Sequence, residues 1–123
     1  MNEHFVTYEI NQVMRFHGFD EPCIGFYNKD LDVEPLIHKP YITNSLFGAP
    51  LRQQALEWLR NKHKIYIQTE IDCTSLPKYA YAIYWILDSK IVNALEPRIY
   101  SDLYYSVKQA EEDAIMYAFN KLI

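Results

Sequence analysis

Lys78-Tyr79-Ala80-Tyr81-Ala82-Ile83-Tyr84-Trp85-Ile86-Leu87-Asp88 decides the fold, because Tyr79 to Leu87 places nine apolar or aromatic side chains in a row with no charge among them. The run has strand length and is rich in aromatic residues. Pro77 before it and Asp88-Ser89 after it are turn punctuation, so it reads as a buried central strand rather than a buried helix. Period 2 gives it two unequal faces, Tyr79, Tyr81, Ile83, Trp85 and Leu87 against Ala80, Ala82, Tyr84 and Ile86. The alanines let a helix approach closely, which assigns their side to a helix-covered core. The bulky side then needs its own cover.

Working outward, Ile65, Ile67, Thr69 and Ile71 alternate with Tyr66, Gln68, Glu70 and Asp72, the pattern of a strand with one wet face. Cys73 to Pro77 turns this strand into the central one, and Ile91 to Leu95 supplies the third strand of a meander, ended by Glu96-Pro97. Arg98 to Tyr105 reads as either a short extended piece or loop. Before the meander, Pro50 suits the first position of a helix whose Leu51, Ala55, Trp58 and Leu59 share one face, with Asn61 as a left-handed exit. After it, Ser106-Val107-Lys108-Gln109 has the form of a capping box, and Ala110, Ala114, Ile115, Ala118, Phe119 and Leu122 make one stripe. Three alanines on that stripe match the alanine side of the central strand, which places this helix against it.

Toward the N-terminus, Phe5, Val6, Ile10, Val13, Met14 and Phe16 recur at roughly helical spacing between Asn2 and His17. Gly18 follows as the left-handed residue beyond the helix, with Phe19 folding back and Asp20-Glu21-Pro22 preventing continuation. Cys23 to Tyr27 suggests an extended segment or edge strand. From Asn28 to Pro50, loop chemistry alternates with scattered apolar side chains, so this stretch is expected to pack down as a flap and to cover the bulky sheet face. The expectation is one α+β domain over residues 1–123: a three-stranded antiparallel meander packed by helices, an α-β-β-β-α core at 50–123, with an N-terminal helix and long flap at 1–49.

Half the residues are hydrophobic and 15% aromatic, globular values that exclude a disordered or fibrous chain, and eleven tyrosines suit half-buried faces and interfaces. No apolar run reaches the ~18 residues of a membrane helix, and Met1 to Glu9 has no leader pattern, so a cytoplasmic protein with no membrane contact is expected. Cys23 and Cys73 form no paired motif and are expected to be reduced thiols. Net charge is −4, but residues 51–64 carry four bases against one acid. That basic island is Arg52, Arg60, Lys62 and Lys64, with His63 beside them.

The order helix, three strands, helix from Pro50 onward resembles double-stranded-RNA-binding domains in topology. Ser106-Val107-Lys108-Gln109-Ala110-Glu111 compares with that family's S-K-K-x-A-K, in which Ser106, Lys108 and Ala110 match. Val107 and Glu111 stand where the resemblance would imply two phosphate-contacting lysines, and the preceding glycine loop is missing, so the resemblance implies topology and not phosphate chemistry. The Gly18-Phe19-Asp20-Glu21-Pro22-Cys23 turn and the Ala49-Pro50 approach to a Trp-containing helix also resemble small uncharacterised proteins of bacterial genomes and their phages and mobile elements. No activity comes with that second likeness.

Two surfaces are singled out. Tyr66, Tyr79, Tyr81 and Trp85 would form an aromatic sheet face for an unknown protein partner or a second copy of the chain, unless residues 23–47 bury it. Arg52, Arg60, Lys62 and Lys64 could hold phosphates with aromatic stacking beside them, although helix-end electrostatics explains the island equally and the negative net charge opposes a polyanion. His17, Cys23, His63 and Cys73 are spaced too irregularly for a zinc site. No nucleophile, metalloprotease or phosphate-loop motif is present, and the acidic clusters at 20–21, 30–34 and 111–113 read as turn and cap chemistry. The expectation is a non-enzymatic binding or assembly protein without cofactor, or alternatively a nucleic-acid-binding accessory protein.

Overall fold

The computed structural model describes residues 4–35, 47–72, 78–87, 90–93 and 106–123. The turn at Cys73 to Pro77, the ambiguous piece at Arg98 to Tyr105 and the middle of the expected flap lie outside the described residues. The fold is α+β, with three α-helices among the described residues, α1 (Tyr8–Phe16), α2 (Arg52–His63) and α3 (Val107–Tyr117), and two antiparallel sheets. Two compact units emerge, Met1–Glu57 and Trp58–Ile123. The division falls within α2.

In the first unit, Thr7 caps α1 by accepting a hydrogen bond from Ile10 N–H at 3.2 Å. The helix ends as its sequence requires. Gly18 has φ +96°, its N–H donates to Arg15 O, and Phe19 N–H donates to Met14 O at 3.0 Å, the paired bonds of a Schellman stop. Phe5 and Val6 lie before the helix and not on it. Phe5 pairs with Leu51 in a bridge and Val6 N–H donates to Pro50 O. Phe16 is 86% exposed. Two residues past buried Met14, it sits about 200° around the helix, on the far side from the core.

Cys23 to Tyr27 is not an edge. β1 (Gly25–Tyr27) is the centre of a sheet ordered β2-β1-β3, flanked by β2 (Val33–Pro35) and β3 (Gly48–Ala49). The described part of the expected flap is therefore a hairpin with its own core of Phe5, Tyr27, Val33 and Ala49. Asn28 makes the turn, its Oδ1 accepting from the N–H groups of Asp30 (2.9 Å) and Asp32 (3.1 Å) while Leu31 takes φ 63°. Tyr27 locks the sheet to the start of α1, its buried hydroxyl donating to Val6 O at 2.7 Å and its ring meeting Tyr8 edge-on at 5.2 Å. Gly25 permits this packing, since a Cβ there would lie 2.7 Å from Phe5 Cε1.

Pro50 is not the first helical residue. Its carbonyl is committed to Val6, and α2 starts at Arg52 with Leu51 O accepting from Ala55 N–H at 3.0 Å. Leu51 has no side-chain acceptor, and Gln54 supplies the other half of a capping box by accepting from Leu51 N–H at 3.4 Å. At the far end the left-handed exit is Lys64, φ 58°, rather than Asn61. The sheet dictates this, because Lys64 O accepts from Ile86 N–H at 2.8 Å and fixes where the next strand begins.

The second unit holds the meander. Its sheet runs β4-β5-β6, comprising β4 (Ile65–Asp72), β5 (Lys78–Leu87) and β6 (Lys90–Asn93), with the sequence's apolar ribbon as central strand. β6 begins at Lys90, one residue earlier than the apolar pattern suggests, because Lys90 pairs with Leu87. The register pairs Ile65 with Trp85, Ile67 with Ile83 and Thr69 with Tyr81 on the bulky face, and Tyr66 with Tyr84 and Gln68 with Ala82 on the other. Both faces of β5 carry buried residues, Ala80 and Ala82 on one, Tyr81 and Ile83 on the other. Burying an isoleucine such as Ile83 contributes roughly 1.5–3 kcal/mol, and each alanine about a third of that. Ser106 caps α3 by accepting from Gln109 N–H at 3.1 Å, and Ala110, Ala114 and Ile115 turn inward. Ala118–Leu122 continues it as a wider π-turn, where Phe119 stacks on Trp58 at 5.8 Å.

Candidate functional site

The structure divides the four aromatic residues of the candidate surface. Tyr81 is 7% exposed and belongs to the core. Tyr79 and Trp85 share its face and are half-buried. Tyr66 sits across β4 on the opposite face, 37% exposed, with the ring of half-buried Tyr84 at 6.5 Å and exposed Gln68 two positions on. A continuous face of Tyr66, Tyr79, Tyr81 and Trp85 does not exist, because the pairing of Ile65 with Trp85 puts even-numbered β4 residues beside even-numbered β5 residues.

What the register creates, among the described residues, is an edge. Lys64 O accepts from Ile86 N–H, so Lys64/Ile86 is a hydrogen-bonded pair, and in an antiparallel ladder such pairs recur every second residue. Tyr66 and Gln68 therefore turn their backbone groups to β5, while Ile65, Ile67, Thr69 and Ile71 turn theirs outward. Among the described residues no strand pairs with that outer side.

The basic island is similarly split. Arg52 opens α2 in the first unit, whereas Arg60, Lys62 and Lys64 are exposed at its C-terminal end in the second. Lys64 Nζ donates to Asn61 O at 3.3 Å, the helix-end role that complements the dipole. His63 packs edge-on against Trp58 at 4.9 Å.

A polar cluster in the first unit was not anticipated from sequence. Arg15 donates from Nε to Asn11 Oδ1 (3.2 Å), from Nη1 to Phe19 O (3.3 Å), and from Nη2 to Gly48 O (3.2 Å) and Cys23 Sγ (3.4 Å). Its guanidinium also lies over the Phe19 ring at 4.9 Å. Asn11 is fully buried. The signal available beforehand was an Asn and an Arg four apart on a helix whose neighbours are apolar. Gln54 makes a second tie, donating from Nε2 to Pro22 O at 2.8 Å and Glu21 Oε1 at 3.4 Å.

Cys23, buried in that cluster, donates its S–H to Glu21 O at 3.5 Å. Burial pushes its thiol up from the ordinary value by more than the Arg15 cation and hydrogen bond bring it down. A protonated thiol is a poor nucleophile. In a Cys73→Ser background, Cys23 should react with a disulfide reagent at neutral pH far more slowly than a free thiol. The folded chain keeps a proton that the unfolded chain releases, so this contribution is present below the ordinary thiol pKa and is lost as pH rises through the elevated one. The unfolding midpoint should fall over that alkaline interval, and Cys23→Ser should flatten the fall.

Among the described residues no three of His, Cys, Asp and Glu come close enough to hold a metal, and no helix is long and apolar enough to cross a membrane. Comparison with protein families, curated proteins and solved structures finds no match.

Proposed function

We propose that the chain is a non-enzymatic binding or assembly protein acting through protein–protein contacts, with the β4 side of the second unit as its contact surface. The observation that carries this reading is Tyr66. A tyrosine exposed beside a second aromatic ring, on a regular strand whose outer backbone groups have no partner strand among the described residues, offers apolar area, a polar tip and main-chain hydrogen bonds together. Exposed Phe16 and Phe47 add apolar surface in the first unit, though scattered single residues of this kind are ordinary.

Nucleic-acid binding has less support. Arg60 and Lys62 are about 200° apart around α2, and Lys64 is engaged with a helix carbonyl, so the cations do not converge. Affinity capture from the source organism's extract tests the main reading, with Tyr66→Ser and wild type compared side by side. Proteins retained by wild type and lost with the variant are expected. Identical captured sets from the two, or retention on heparin at moderate salt that Lys62→Glu abolishes, would move the function elsewhere.

A further inference from the structure

We draw no further inference here: the strongest candidate, the sheet surface around the Tyr66–Tyr84 ring pair beside the outer side of β4, belongs to the contact surface already proposed, and nothing in the structure shows what covers it.

Discussion

Phe119→Ala should cost the second unit about 3–5 kcal/mol, the range for truncating a buried phenylalanine. Its ring is 1% exposed and stacks at 5.8 Å and 18° on Trp58, which is itself buried against His63. Removing the ring strips one face of the indole and leaves a cavity between two elements, because Trp58 is on α2 and Phe119 on the turn that continues α3, and a cavity that cannot fully collapse adds to the lost transfer energy. Against the total of roughly 5–15 kcal/mol typical of folded domains, the loss is a large fraction. Urea unfolding followed by fluorescence in a Trp85→Phe background checks it, with Trp58 emission shifted to the red in the native variant. A loss below about 1 kcal/mol would place Phe119 outside the packed core.

Arg15→Met should destabilise the first unit by about 2–4 kcal/mol, and Arg15→Lys should recover less than half of that loss. Methionine keeps the apolar stem, so the difference isolates the guanidinium. Four of the five guanidinium N–H groups are in use, on Asn11, Phe19, Gly48 and Cys23. Asn11 Oδ1 and Gly48 O are at buried residues and would lose a charge-assisted donor. Lysine offers three donors from a single point and cannot span acceptors arranged around a plane. Protease susceptibility of the β1–β2 hairpin, measured with the unfolding midpoint, reports the change. A lysine variant as stable as wild type would show that charge alone, without the fork, holds the cluster.

Strong local signals carried the central strand, the capped α3 and the glycine stop of α1 directly from residues to structure. An uncharged run bounded by turn residues, a Ser followed by Gln at the third position, and a Gly before Phe each have one low-energy outcome. The α2 boundaries were less legible, because Pro50 O and Lys64 O are claimed by Val6 and Ile86, partners distant in sequence. Local propensity favoured Asn61 as the exit; the ladder chose Lys64. The hairpin inside the expected flap has strands of only three residues, too short for alternation to show. Tyr66 illustrates the limit for the site. Its alternation within β4 was plain, but which β5 face it joins depends on the parity of the cross-strand register, and one residue of slip reverses it.

Arg15 reaches partners four, eight and thirty-three residues away along the chain. The nearest can be met as soon as α1 winds, whereas Gly48 O arrives only after a long loop has closed, with the entropy of that closure already spent. Where such a contact forms after the rate-limiting step, loosening it hastens escape from the native basin and leaves the speed of reaching it nearly untouched, so the folding and unfolding rates of Arg15→Met measure when the Gly48 bond is made.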